Sequence, residues 1–177
     1  MIELLRTRRS IRKYTEQPVE ADKIEMLKEA VLRSPSSKGI NPWQFIFIDE
    51  KETIQKLKVV KNSGTGPLET APLAVVFCAD ETVNDAWVED CSIAAIILQL
   101  TAHSLGLGSC WIHFHYRMQS ETVTSEQYVR ELLGIPENYR VLCAVTIGYP
   151  AKESKGRPFE SLQFEKIKVN RFKTCFR

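Results

Sequence analysis

Arginine side chains crowd a short segment near the start of the chain and bring a serine hydroxyl with them. Within residues 8–12 the basic and hydroxyl positions are Arg8, Arg9, Ser10 and Arg12. A guanidinium group donates paired hydrogen bonds that match the oxygens of a phosphate, and a hydroxyl adds a further donor. The segment therefore favours a phosphate site. Short basic runs at helix ends are also common as solvated patches, and that alternative stays open on the residues alone.

A second group of small polar residues lies between a predicted helix and a predicted strand. It consists of Pro35, Ser36, Ser37 and Asn41. Hydroxyls and an amide on a turn rich in proline and glycine allow a ligand to approach the backbone closely. Loops of this composition also connect helices to strands without binding anything, so the residues alone leave both interpretations open.

The third candidate region is the glycine-containing turn and predicted strand over residues 106–115, which carries Trp111, Ile112 and His113. Its glycines do not form the GxGxxG pattern of a dinucleotide-binding turn. His113 and His115 are expected on the same face of this strand, where two histidines begin a metal site. No third ligand is placed nearby, so no metal site is predicted.

Composition narrows the class of protein. The 24 basic and 22 acidic side chains leave a net charge of +2, so no overall field favours nucleic acid or an anionic membrane. The longest apolar run, residues 93–98, is far shorter than the roughly 20 residues that span a bilayer. No export signal is visible, and we expect a cytoplasmic protein. The five cysteines include no CxxC pair, which argues against disulfides or zinc.

The elements that position these residues follow from hydrophobic periodicity and turn signals, and they predict a single α+β domain over residues 1–177. Predicted helices cover residues 2–8, 20–33, 51–60, 87–105 and 125–133, and predicted strands cover residues 44–49, 73–79, 109–115 and 141–148. Thr124 and Gln127 are placed as a capping box for the last helix, and Gly134 and Pro136 are its stop signals. The helix over 87–105 is apolar on nearly all sides, which indicates that a subunit interface covers part of it. Residues 151–177 form a polar tail with an alternating segment over 162–169 and no core of its own.

Four motifs follow one another along the chain: RRSIRKY, SPSSKGINPWQF, GLGSCWI, and IGYP followed by Lys155 and Arg157. Together they resemble the nitroreductase family of FMN enzymes. The resemblance implies a nitroreductase-like fold with a mixed, mainly antiparallel sheet flanked by helices. It also implies an intertwined homodimer in which residues 163–169 of the tail add a strand to the partner's sheet, with FMN bound at the subunit interface.

The resemblance assigns roles residue by residue. The FMN phosphate would be held by Arg8, Arg9, Ser10, Arg12, Lys155 and Arg157. The ring and ribityl chain would be lined by Pro35, Ser36, Ser37 and Asn41, with Trp111, Ile112 and His113 along the ring. The backbone N–H of His113 would reach flavin N5. No side chain is expected to act as an acid or base.

The implied activity is ping-pong hydride transfer from NADH or NADPH to FMN and on to a nitroaromatic, a quinone or a similar small electrophilic acceptor. A flavin-binding protein for storage or redox sensing is the alternative, and an anion-binding interaction module is a third. The sequence departs from the family pattern at Gly39 and Asn41, where asparagine and glutamine are more usual. His113 and Phe114 replace small or acidic residues, and at that point they would either narrow the substrate slot or supply a proton donor, since histidine titrates near neutrality.

Overall fold

The computed structural model describes residues 1–172, so Cys175 and the end of the tail lie outside the described residues. Helices and strands alternate along this part of the chain. The helices are α1 (Ile2–Thr7), α2 (Ala21–Leu32), α3 (Lys51–Leu57), α4 (Trp87–Ser104) and α5 (Ser125–Leu133). The strands are β1 (Trp43–Ile48), β2 (Leu73–Asp80), β3 (Gly108–His113) and β4 (Tyr139–Gly148).

The four strands form one sheet in the order β1-β2-β4-β3, and each neighbouring pair is antiparallel. The central strand β2 is buried from Leu73 to Ala79, which explains its continuous apolar sequence. A parallel contact enters only as an isolated bridge between Ser10 and Ser109 within the described residues. The α+β fold expected from the sequence is confirmed.

Side chains of β2 alternate between two hydrophobic cores, one on each face of the sheet. Val75 and Phe77 pack with the buried face of α4, whereas Ala74 and Val76 pack with residues from α3 and α5. Cys78 and Cys143 are buried in these cores, as their apolar surroundings predict. The sheet is therefore covered by helices on both faces.

The long helix α4 is apolar on more sides than one subunit covers. Its inner residues, such as Leu98, are fully buried against the sheet. Ile93 and Ile96 lie on its outer side and are 38% and 40% exposed. Exposed apolar side chains of this kind are available to a partner, and the subunit interface expected from the sequence stays a prediction.

Helix α5 begins and ends where its sequence signals indicate. The Thr124 hydroxyl accepts a hydrogen bond from the Gln127 N–H at 3.0 Å, which caps the first turn. The Gln127 side chain contacts Glu131 instead of returning to Thr124, so only half of the predicted capping box forms. Gly134 ends the helix with φ of 65°, a left-handed conformation that glycine adopts without strain.

Strand β3 is shorter than predicted. It ends at His113, because the N–H groups of Phe114 and His115 both donate to the carbonyl of Leu142 and the chain turns away from the ladder. His113 and His115 therefore do not share a strand face, which corrects the expectation from the sequence. His115 is instead buried against α5.

The tail also differs from its predicted form. The segment over residues 163–169 contains a 3-10 turn at Phe164–Lys166 and is not a continuous strand in the single chain. Its apolar side chains Leu162, Phe164 and Ile167 are exposed. Strand exchange requires a second subunit, and it stays a prediction. None of the helices within residues 1–172 has the length and apolarity needed to cross a bilayer.

Candidate functional site

The basic residues near the N-terminus, called here the arginine segment (Arg8–Arg12), lie against the start of β3. The Ile11 N–H donates to the carbonyl of Ser109 at 2.9 Å. This approach requires glycine at position 108, because a β-carbon there would lie 2.5 Å from Cγ1 of Ile11. The arginine segment and the third candidate region are thus brought together, as the predicted site requires.

The tail returns to the same place. Gly156 packs on the backbone of α1, and a β-carbon at this position would lie 1.8 Å from the carbonyl oxygen of Arg6. Only glycine permits this contact. The flanking residues Lys155 and Arg157 are consequently held next to the arginine segment within one chain.

The cations gathered here have no acidic partners among residues 1–172. No ion pair is formed by Arg8, Arg9, Arg12, Lys155 or Arg157. Elsewhere in the molecule most exposed cations that approach a carboxylate do so within their own helix, as Lys28 does with Glu25. An uncompensated group of guanidinium and ammonium groups beside a serine hydroxyl fits an anionic ligand such as a phosphate.

Strand β3 presents one edge and one face to this region. In an antiparallel pair, N–H groups alternate between the partner strand and the open edge. Because the Phe114 N–H points at β4, the N–H groups of Trp111 and His113 point outward, toward the edge that carries the arginine segment. Their rings stack with centroids 6.2 Å apart, forming a flat surface on one face of the strand.

Two of the residues predicted near the ring contribute less than expected. The side chain of Ile112 lies on the opposite face of β3 and is 1% exposed in the core, so only its backbone borders the site. Phe114 is also fully buried in that core and does not narrow an open slot. The large side chains that border the site are those of Trp111 and His113, and both are partly exposed.

Lys61 joins the site although no sequence signal indicated it. Its Nζ donates to the carbonyl oxygen of His113 at 2.9 Å, so it lies at the outward edge of β3. Burial lowers the pKa of Lys61, and the positive charge of Arg117 lowers it further. The contact joins residues 52 positions apart, and a single lysine before a glycine-containing loop has no pattern that reveals it.

The serine loop (Ser36–Asn41) is organised by its own hydrogen bonds. The Ser36 hydroxyl donates to Oδ1 of Asn41 at 2.7 Å and accepts from the Asn41 N–H at 2.9 Å. The Ser37 N–H donates to Oδ1 of Asp90 at 2.8 Å. Asp90 is 2% exposed and accepts a second bond from Asn84, which makes it a buried anchor that sequence analysis missed.

One chain does not bring the serine loop and the arginine segment together. The loop is tied to Asp90 in the first turn of α4. The arginine segment follows Thr7, whose hydroxyl lies 2.8 Å from Nε2 of His103 in the last turn of the same helix. About thirteen residues of helix, or roughly 20 Å, separate these attachment points. The predicted site residues therefore form two groups at opposite ends of α4.

A buried ionic network supports the turn after β3. Glu126 accepts hydrogen bonds from Arg140 at 2.8 and 2.9 Å and from the Val141 N–H at 3.1 Å, and its Oε1 lies 2.8 Å from Nδ1 of His115. Burial would raise the pKa of Glu126, but the hydrogen bonds from Arg140 and Val141 outweigh it and hold that pKa below the usual value. Within residues 1–172 no histidine, cysteine or acidic cluster could hold a metal ion.

Comparison with known proteins shows which protein family the chain belongs to. The profile described as the Nitroreductase family matches residues 5–65 and 61–149, and thus spans both the arginine segment and the serine loop. The chain belongs to the nitroreductase family. The matched range ends just before the tail that carries Lys155 and Arg157.

Individual relatives agree with this membership. An FMN-dependent nitroreductase from Clostridium difficile has a similar structure, with a TM-score of 0.95 and 44% identity over 97% of this chain and all of that one. A protein of Archaeoglobus fulgidus, provisionally named an NADH dehydrogenase/NAD(P)H nitroreductase, is 36% identical over 86% of both chains. The FMN reductase [NAD(P)H] of Bacillus subtilis is 31% identical over 89% of this chain and 69% of its own length.

Proposed function

We propose that two copies of this chain form a homodimer with two FMN sites, each built from the arginine segment of one subunit and the serine loop of the other. The enzyme would take hydride from NADH or NADPH and reduce a nitroaromatic, a quinone or a similar small electrophilic acceptor in a ping-pong cycle. The observation that carries the proposal is the uncompensated basic site beside the outward edge of β3.

Family membership sets the general activity. The protein is an FMN-dependent oxidoreductase that uses NAD(P)H, in keeping with its relatives, an FMN-dependent nitroreductase and an FMN reductase [NAD(P)H]. The acceptor, the ping-pong order and the residue roles are the proposed part. They rest on the chemistry of the side chains that surround β3.

The basic group suits the phosphate of FMN. Arg8 and Arg12 would hold the phosphate oxygens with the Ser10 hydroxyl, and Lys155 and Arg157 would approach from the tail. Charge-assisted hydrogen bonds of this kind are short and about twice as strong as neutral ones. Placing several cations together without carboxylates is unfavourable in the empty protein, so a dianion relieves their repulsion when it binds.

The edge and face of β3 suit a flat heterocycle. When bound along this edge, FMN would supply the redox chemistry of hydride uptake from a nicotinamide and two-electron reduction of a second substrate. The outward N–H of His113 would donate to N5, and Trp111 would border the ring. Lys61 would offset negative charge that develops near the ring during hydride transfer, since a fixed cation in a partly buried site costs no reorganisation.

A second subunit would bring its serine loop to the arginine segment, because within one chain these two groups lie at opposite ends of α4. The outer side of α4 supplies an apolar surface for that subunit through Ile93 and Ile96. The exposed apolar residues Ile2 and Leu5 of α1 extend the same kind of surface. Exchange of the tail would add a further contact between subunits.

The direct test is the visible spectrum of the purified protein before and after anaerobic addition of NADH or NADPH. Flavin absorption that bleaches with a nicotinamide and returns on addition of a quinone supports the proposed enzyme. Bands that persist with both nicotinamides indicate a flavin-binding protein without turnover. A colourless protein that takes up no added FMN contradicts the proposal, and light scattering that gives the mass of one chain contradicts the shared site.

A further inference from the structure

Three basic side chains gather at the end of β3 that lies beyond the arginine segment. They are Lys61, His113 and Arg117, called here the rim cluster. Lys61 bonds the His113 carbonyl at 2.9 Å, and Arg117 lies close enough to lower the pKa of both neighbours by its charge. The backbone fixes Arg117, because its N–H donates to the Phe114 carbonyl and its own carbonyl accepts from the Ser125 N–H.

The rim cluster has no acidic partner of its own. Within residues 1–172 neither Lys61 nor Arg117 forms an ion pair, and His113 contacts no carboxylate. Glu126 is the acidic residue that acts electrostatically on His113. Its oxygens are already used by Arg140, Val141 and His115. Arg117 lines a pocket with Glu81, Glu126 and Glu137 but forms no ion pair with them, so its charge and that of Lys61 can still be offset by a ligand.

This ligand is distinct from the FMN phosphate. The arginine segment, with Lys155 and Arg157, already gathers cations at the start of β3 for that group. The rim cluster lies at the other end of the strand, next to the outward N–H of His113. A substrate that stacks on a ring placed along this edge would direct its substituents toward Lys61 and Arg117.

We propose that the rim cluster binds a carboxylate or similar anionic group on the electron acceptor, so that the enzyme prefers anionic aromatic acceptors over neutral ones of the same shape. The inference rests on the proposed function and names its substrate class. Arg117 would supply the planar pair of donors that suits a carboxylate. Lys61 would add a point charge beside the His113 carbonyl.

The groups that surround His113 fit the binding of an anion at the rim cluster. Burial lowers the pKa of His113, and the nearby Arg117, His115 and Lys61 lower it further, with Glu126 opposing them weakly. An anion placed among these groups favours the charged imidazole. Binding of an anionic acceptor should therefore be accompanied by proton uptake at His113, whereas a neutral acceptor should leave its titration unchanged.

The test compares 4-nitrobenzoate with 4-nitrobenzamide, which have nearly the same shape and differ in charge, using the FMN-loaded enzyme. In the unchanged enzyme we expect kcat/KM to be higher for the benzoate. In Arg117→Gln the benzoate value should fall by about two- to fivefold, as for loss of one exposed ion pair, and the benzamide value should stay the same. Lys58→Gln is the matched control, since it removes a cation from the same stretch of chain but pairs with Glu69 outside the cluster.

Binding is measured separately by NMR titration of the histidine C2 protons. The chain has three histidines, so His113→Gln identifies the relevant signal. A rise in the pKa of His113 with 4-nitrobenzoate and none with 4-nitrobenzamide supports the inference. An unchanged His113 titration with both compounds overturns it.

The outcomes separate this inference from the proposed function. If the enzyme reduces both nitro compounds with equal kcat/KM, the rim cluster does not select anionic acceptors. The proposed oxidoreductase activity is not affected by that result. Failure to reduce either compound, together with a flavin that NAD(P)H does not bleach, contradicts the proposed function itself. If Arg117→Gln weakens only NADH or NADPH, the anionic group belongs to the donor, and its assignment to the acceptor is wrong.

Discussion

The two ends of α4 carry polar groups that are satisfied in opposite ways. At the last turn, the arginine segment and the tail gather cations that have no carboxylate partner within the described residues. At the first turn, Ser36, Ser37 and Asn41 are bonded to one another or to Asp90. The proposed anionic ligand would complete one end, whereas the hydrogen bonds at the other end already form within the chain. Mutations should therefore separate binding from folding.

The largest effect is expected at the arginine end. In Arg8→Ala/Arg12→Ala, loss of two charge-assisted contacts at about 1.5–3 kcal/mol each should raise the Kd for FMN roughly a hundredfold or more. The free energy of unfolding of the FMN-free protein should stay the same or rise, since mutual repulsion is removed. FMN fluorescence titration and urea unfolding measure the two quantities.

The matched control removes two cations from α2. Lys28→Ala/Arg33→Ala eliminates side chains that are exposed and paired only within their helix, and such pairs contribute little. FMN affinity should not change in this variant. Equal flavin content in the two double variants would contradict the assignment of Arg8 and Arg12 to the FMN phosphate.

Sequence analysis found the elements because their signals are local. The apolar helix over 87–105, the Thr124 cap and the Gly134 stop each depend on residues a few positions apart, and the structure confirms them. Lys61 and Asp90 were missed because their partners, His113 and the Ser37 N–H, are 52 and 53 positions away. No local pattern encodes such contacts.

The end of β3 was misplaced for a related reason. Alternation predicts a strand to residue 115, but tertiary packing decides where the strand stops. Phe114 is drawn into the core and His115 toward Glu126, so the chain turns. The four family motifs each lie in a segment that borders β3 or α4, and the residue roles they imply stay predictions.

A smaller effect is expected at the loop end, and it should fall on stability. Asp90→Ala leaves the partly buried Ser37 N–H and the buried Asn84 amide without their acceptor. An unsatisfied buried donor costs about 1–3 kcal/mol, so the free energy of unfolding should fall by about 2–3 kcal/mol. Urea unfolding of the FMN-free protein measures it.

Glu89→Ala is the control for Asp90, since it removes a neighbouring carboxylate from the same first turn of α4 that is exposed. Its unfolding free energy should change by less than about 0.5 kcal/mol. If the two variants lose the same stability, the loop is not anchored by Asp90. FMN added in excess should recover part of the stability of Asp90→Ala, because ligand binding to the folded state stabilises it.

The smallest effect is expected on the pH dependence of stability, at the ion pairs that Glu126 forms with His115 and Arg140 near the end of β3. The pKa of Glu126 is lowered in the folded protein, so its contribution to stability is present above its unfolded pKa, about 4.3, and is lost as pH falls through the lower folded value. Thermal unfolding between about pH 6 and pH 3 should show the unchanged protein losing Tm more steeply with acid than Glu126→Gln. Glu121→Gln, an exposed change just before α5, should follow the unchanged protein. If Tm depends on pH equally in Glu126→Gln and in the unchanged protein, the charge of Glu126 does not stabilise the fold through Arg140 and His115. Packing alone would then support the turn that carries the rim cluster.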